Sequence, residues 1–141
     1  MAYIDTSVIV ALLTGEPSAM AIRTWLTNRQ TTTPLLMSDW SLAEVSSALS
    51  LKRRTGQISA QAIEAARHQL RLFTEKSFSI LPVERSNFLA AARFCEHHEL
   101  GLRSGDALHL AIAIDAKSEL VTLDKRFATA ATALGARCTL L

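Results

Sequence analysis

The sequence predicts an α/β/α sandwich, a central parallel sheet with helices packed on both faces. Short apolar runs alternate along the chain with longer segments whose apolar residues recur at helical spacing. Those runs lack the in–out alternation of a half-exposed strand, as expected of strands buried on both faces. No Pro-, Gly- or Ser-rich linker, repeat or low-complexity tract divides the 141 residues. They are therefore expected to form a single α/β domain, 1–141, long enough to bury a core.

Taken in order, Ala2–Ile4 opens the chain as a strand. Apolar character resumes in Val8–Leu13, a short helix broken by Gly15 and Pro17. In Ala19–Arg29, Met20, Trp25 and Leu26 are spaced for an amphipathic helix. Pro34–Met37 is a short second strand. Ser38, Asp39 and Ser41 are all capping types ahead of a helix that runs to about Thr55. Gly56 stops it, and Lys52, Arg53 and Arg54 in its last turn suit the helix dipole. Ser59 caps the next helix, Ala60–Lys76, with Ile63, Leu70 and Phe73 in its stripe. Phe78–Val83 is the third strand, Ser86 caps a helix ending near His98, and Gly101 terminates it. Ser104 precedes a helix over Gly105–Lys117, which Leu108, Ile112 and several alanines mark as buried. Leu120–Leu123 is a strand, Arg126–Leu134 a helix closed by Gly135, and Arg137–Leu141 the last strand.

Composition narrows the class further. Hydrophobic residues make up 49% and charged residues 20%, which excludes a disordered chain. No apolar stretch approaches the roughly 20 residues of a bilayer span, and no basic leader region opens the chain. The expectation is a cytoplasmic protein without a membrane anchor. Cys95 and Cys138 have neither CxxC spacing nor a His at ligand distance, so free thiols are expected.

Four carboxylates carry the chemistry. Asp5 follows the first strand in AYIDTSVIV and Asp124 the fourth in LVTLDKRF. Glu44 in SDWSLAEV and Asp106 in LRSGDALHL fall in the first turns of helices. In an open parallel sheet, strand carboxyl ends and following helix N-termini gather at one edge. Acids placed there converge and repel one another unless protons or cations neutralise them, which points to a metal site. Each acid also has a plainer reading. Asp5 and Asp106 suit helix caps, Glu44 completes an S-x-x-E capping box with Ser41, and Lys125 and Arg126 follow Asp124. With the four set aside, nine acidic residues remain against 15 basic ones, 11 of them Arg. A basic surface around an acidic pocket suits a polyanionic substrate.

In the order Asp, Glu, Asp, Asp, with 38, 61 and 17 residues between them, the acids carry a family resemblance. Tyr3-Ile4-Asp5-Thr6-Ser7, Glu44, Leu102-Arg103-Ser104-Gly105-Asp106-Ala107 and Thr122-Leu123-Asp124 make the chain similar to the PIN domain, and within it to VapC toxins. The resemblance covers essentially the whole chain and implies a PIN-like, Rossmann-like fold. It also implies a Mg²⁺- or Mn²⁺-dependent endoribonuclease, inhibited by a cognate VapB-like antitoxin, as a homodimer or toxin–antitoxin hetero-oligomer. Carried over, Asp5, Glu44, Asp106 and Asp124 become catalytic and metal-binding, with Thr6, Ser7 and Thr122 as polar supports. Arg103 is the first candidate for phosphate contact. A phosphatase of the haloacid-dehalogenase type would need an Asp at position 7, where Ser7 stands. A second reading keeps the fold but makes the chain a regulatory module with a DNA-binding partner, its nuclease activity vestigial.

Other polar and aromatic residues receive plainer readings. His109, three residues after Asp106, could face the same pocket but is expected as a polar residue at a helix–sheet edge, and CEHHE is expected as an exposed helix end without the spacing of a zinc helix. Trp25 and Trp40 are expected to pack in the interior rather than stack on bases.

Overall fold

A computed structural model describes residues 1–29 and 33–141. Its strands are β1 (Ala2–Ile4), β2 (Leu35–Ser38), β3 (Phe78–Leu81), β4 (Glu119–Thr122) and β5 (Cys138–Leu140). They form one sheet in the order β3-β2-β1-β4-β5, with every neighbouring pair parallel. The helices are α1 (Thr6–Thr14), α2 (Ala19–Asn28), α3 (Asp39–Arg54), α4 (Ala60–Lys76), α5 (Arg85–Cys95), α6 (Ser104–Asp115) and α7 (Lys125–Ala133), with a 3-10 turn at His98–Leu100.

Alternation along β1 divides the interior into two layers. Ala2 and Ile4 join Val8 and Ile9 of α1, Ile22 of α2, Val45 and Leu49 of α3 and Ile63 of α4. Tyr3 points the other way, into a core with Leu36, Leu120, Leu110 and Ile112 of α6 and Phe127 of α7. Successive strand side chains point to opposite faces, so a three-residue strand at the centre of the sheet serves both layers. Removing each large aliphatic side chain from water contributes roughly 1.5–3 kcal/mol. None of the described helices is long and apolar enough to cross a membrane.

Several boundaries differ from the sequence expectation, each for a local reason. β2 extends through Ser38, whose φ of −127° and ψ of 169° keep it extended, so Ser38 is the N-cap of α3. Its Oγ accepts the Ser41 N–H at 3.3 Å, and Ser41 Oγ accepts the Ser38 N–H at 3.1 Å. The capping box therefore joins Ser38 to Ser41. Glu44 is not its acid and lies in the second turn rather than the first. Helix α5 starts one residue before Ser86, at Arg85, with Glu84 as N-cap, and Asn87 Oδ1 accepts the Glu84 N–H at 2.8 Å. β3 stops at Leu81 rather than Val83 because its only neighbour, β2, ends opposite it at Ser38. Helix α6 ends at Asp115, and Lys117, expected inside it, takes the left-handed φ of 50°.

The two caps of α5 give a direct comparison. Asn87→Ala should cost about 1–2 kcal/mol by orphaning the Glu84 N–H and a buried site, read as a Tm lower by roughly 3–6 °C. Ser86→Ala, at an exposed position, should stay within about 0.5 kcal/mol of the parent. Calorimetry of both variants checks the assignment, and the reverse ranking would refute it.

Candidate active site

The chain runs β1, β2, β3 toward one edge of the sheet, then crosses back over α5 and α6 to place β4 on the other side of β1. That reversal makes the carboxyl ends of β1 and β4 the topological switch point, where open α/β sheets present their sites. Ile4 pairs with Val121, and the Asp5 N–H donates to Val121 O at 2.9 Å. Asp5 and Asp124 are thereby placed on adjacent exits.

Asp5 stands at the N-cap position of α1, but its side chain makes no capping bond. It is 5% exposed. Its Oδ2 accepts the hydroxyl of Ser7 at 2.6 Å and that of Thr122 at 2.8 Å. Ser7 Oγ in turn accepts the Leu123 N–H at 3.2 Å, and Thr122 Oγ1 accepts the Asp124 N–H at 3.0 Å. One oxygen of Asp5 is thus locked through two hydroxyls into the backbone after β4. The other, Oδ1, is 3.7 Å from His109 Nε2.

Glu44 reaches in from α3. Its Oε2 accepts the Thr6 hydroxyl at 2.8 Å and lies 2.6 Å from His109 Nε2. Burial pushes its carboxyl up, but the hydrogen bond and charge of His109, with Thr6, bring it below the ordinary carboxylate value. Gly105, the second residue of α6, explains how Glu44 fits. A Cβ there would fall 2.8 Å from Glu44 Oε1 and 3.8 Å from Trp40 Nε1, so any side chain would displace the carboxylate. Trp40 Nε1 is buried beside that carboxylate, outside full hydrogen-bond geometry but near enough to help lower it.

Asp106 occupies the first turn of α6, as expected, and is half-buried. Burial raises its carboxyl above the ordinary value, and the charges of Asp5, Asp124 and Glu44 raise it further, against an opposing effect of His109. Three other acids therefore act on it from close by. Asp124 is the N-cap of α7, its Oδ1 accepting the N–H groups of Arg126 at 2.7 Å and Phe127 at 3.0 Å. Among the described residues no ion pair joins it to Lys125 or Arg126. Glu44, Asp106 and Asp124 line one open cleft with Trp40, Arg103 and Arg126. A shallower groove beside it is lined by Thr6, Ser7, Asp124 and Lys125.

Among the described residues no three His, Cys, Asp or Glu side chains stand ready around one point as a closed metal cage. The donor set nevertheless fits a hard divalent cation. It consists of carboxylate oxygens, and the repulsion that lifts Asp106 is what a cation would relieve. Mg²⁺ in particular is usually held by one or two carboxylates and several waters rather than by an all-protein cage.

Two residues central to this geometry, His109 and Tyr3, are not among the site residues expected from the sequence. His109 is not at an edge: it is 1% exposed, with Nδ1 at 2.7 Å from the Tyr3 hydroxyl. Tyr3 reads only as a strand residue. The spacing of His109 three residues after Asp106 was the available signal, because such residues are neighbours on a helix. The plainer readings elsewhere agree with the structure. His97 and His98 are exposed beside Glu99, Trp25 packs against the core of the α1 layer, and Lys52, Arg53 and Arg54 fill the last turn of α3. Cys95 and Cys138 are free.

Comparison with known proteins adds the family. The family model described as the PIN domain matches residues 2–133. No curated protein matches the chain in sequence. Among solved structures, FitAcB from Neisseria gonorrhoeae superposes with a TM-score of 0.74 at 18% identity, covering 98% of this chain and 96% of that one. VapC20 from Mycobacterium tuberculosis, described as a sarcin-ricin loop cleaving toxin, gives 0.70 at 19% identity, with 96% of each chain covered. VapBC2 from Rickettsia felis, bound to a DNA fragment from its promoter, gives 0.68 at 18%, covering 99% and 98%. At these identities the likeness establishes the fold.

The raised carboxyl of Asp106 has a measurable consequence. An acid that binds its proton more tightly folded than unfolded loses stability as pH rises between its unfolded and folded values. Asp106→Asn should therefore be the more stable protein at neutral pH in chelator. The gain should be read as a higher Tm for the variant, reduced by solvent screening because Asp106 is only half-buried. It should fade as the pH falls through and below the ordinary carboxyl value of 3.8, where Asp106 becomes protonated in both states. Thermal melts across pH check this, and a less stable variant at neutral pH would contradict it.

Proposed function

Because this chain belongs to the PIN domain family, we propose that it is a Mg²⁺- or Mn²⁺-dependent endoribonuclease, the toxin of a toxin–antitoxin pair. The observation that carries this reading is the gathering of four acids at the switch point, where Glu44, Asp106 and Asp124 line one cleft and Asp5 and Glu44 meet at His109 Nε2, at 3.7 and 2.6 Å. The likeness in fold to a toxin described as cleaving the sarcin-ricin loop supports RNA as the substrate. The likeness to VapBC2 supports an antitoxin that inhibits the chain, within a homodimer or a hetero-oligomer.

In this reading the four acids hold the cation, which supplies Lewis-acid stabilisation for the charge that builds on the phosphate oxygens. The remaining work belongs to the chain. Ser7 and Thr122 fix one oxygen of Asp5, so that Oδ1 is the one left to face a ligand. Thr6 does the same for Glu44 through Oε2. Arg103 and Arg126 line the same cleft, where their planar forks can take the phosphates flanking the scissile one. The open cleft excludes little water, which suits hydrolysis with water as the nucleophile. The second reading, a regulatory module with vestigial nuclease activity beside a DNA-binding partner, draws its support from the likeness in fold to VapBC2 bound to promoter DNA. Calorimetry with millimolar Mn²⁺ separates the two, since a protein that binds no ion fits only the regulatory role.

Purified protein should cleave RNA internally with Mg²⁺ or Mn²⁺, lose that activity in EDTA and regain it when the ion is restored. Asp5→Asn should lower kcat/KM by at least about 100-fold, equivalent to roughly 2.7 kcal/mol in the barrier. Cleavage at the parental rate would sink the proposal. Arg103→Ala should instead raise KM several-fold with little change in kcat, as expected for uniform binding of a flanking phosphate. A fall in kcat at unchanged KM would remove Arg103 from that role.

A further inference from the structure

His109 is a buried side chain that the reading above leaves without a task. It lies on α6, three residues beyond Asp106, at 1% exposure. Its two ring nitrogens have different partners. Nε2 faces Glu44 Oε2 at 2.6 Å, with Thr6 Oγ1 at 3.1 Å, and Nδ1 faces the Tyr3 hydroxyl at 2.7 Å. An ionised carboxylate only accepts, so Nε2 carries a proton toward Glu44, and Nδ1 shares its hydrogen bond with the Tyr3 hydroxyl.

The Tyr3 oxygen lies 2.7 Å from Ser38 Oγ and 3.3 Å from Ser41 Oγ. Those two hydroxyls form the capping box of α3, the helix that also carries Glu44. The hydrogen bonds therefore close a circuit from the start of α3 to Tyr3 on β1, to His109 on α6, and back to α3 at Glu44. These elements carry or immediately precede Glu44, Asp5 and Asp106.

We propose that His109, backed by Tyr3, is a positioning residue for Glu44, pinning Oε2 so that Oε1 alone is left, on the Gly105 side, to serve a cation. The inference rests on the metal-dependent reading. Without this anchor a half-exposed glutamate beside three other acids would swing toward water, because its rotamers are free and repulsion drives it out. Partners behind a ligating carboxylate hold it in orientation, and losing one typically costs 10–100-fold in metal affinity or activity.

The test measures Mn²⁺ affinity by calorimetry alongside Tm and the Mg²⁺ dependence of RNA cleavage. His109→Leu should raise the Mn²⁺ Kd about 10–100-fold and shift half-maximal Mg²⁺ by a similar factor. His109→Gln, which keeps an N–H donor at similar reach, should recover most of that loss. Tyr3→Phe, a milder change, should give a smaller loss in the same direction and serves if the leucine variant fails to fold. In a Glu44→Gln background, His109→Leu should leave the Mn²⁺ Kd unchanged, because the group it positions is no longer charged. A purely structural His109 would lower Tm and weaken binding equally with or without Glu44. Parental Mn²⁺ affinity in both His109→Leu and Tyr3→Phe, or an equal loss in the Glu44→Gln background, overturns the proposal. If the parent protein binds no Mn²⁺, the metal-dependent reading falls and takes this inference with it. Binding by the parent that is insensitive to His109 overturns the inference alone.

Discussion

The pairing of β1 with β4 at the centre of the sheet, Ile4 opposite Val121, determines where the other functional groups stand. It sets Asp5 beside the exit of β4, within reach of Thr122 and Ser7, and directs Tyr3 toward α6. The long return through α5 and α6 then delivers Asp106 and His109 above the same exits. Changing the register by one residue would reverse the faces of Tyr3 and of its neighbours Ala2 and Ile4. The core and the site are therefore specified by the same pairing.

Electrostatics gives the site its cost and its use. Half-burial raises the carboxyl of Asp106, and the charges of Asp5, Asp124 and Glu44 raise it further. Hydroxyls offset part of this by binding one oxygen each of Asp5 and Glu44, and the second oxygens remain for other partners. Asp124 divides its role, with one oxygen capping α7 while the residue lines the cleft. Such an arrangement is destabilising for the protein alone and becomes favourable with a cation, in keeping with the strain commonly held at active sites.

The fold was legible because its signals are local. Uninterrupted apolar strand runs, Ser59 as a cap and Gly135 as a terminator each act within a few residues and stand in the structure, whereas α5 ends at Cys95, before His98, and Gly101 closes the 3-10 turn that follows. Gathering of the acids was legible too, since strand ends and helix starts meet at one sheet edge. Glu44 was obscured by Ser41, whose S-x-x-E spacing imitates a capping box. The true box partner of Ser41 is Ser38, because β2 stays extended through that residue. His109 was obscured for a different reason. Its partner Tyr3 is 106 residues away, and no local pattern announces a hydrogen bond of that span. Gly105 likewise shows its purpose only when Glu44 is seen lying against it.

Central to the account is that the four acids form one cation site. Diffraction from crystals soaked in Mn²⁺, collected where manganese scatters anomalously, would locate the ion directly. The account requires a peak at the switch point with oxygens of Asp5 and Asp106 at about 2.0–2.2 Å and Glu44 or Asp124 reaching it directly or through water. No peak there at millimolar Mn²⁺, or binding confined to another part of the surface, would contradict it.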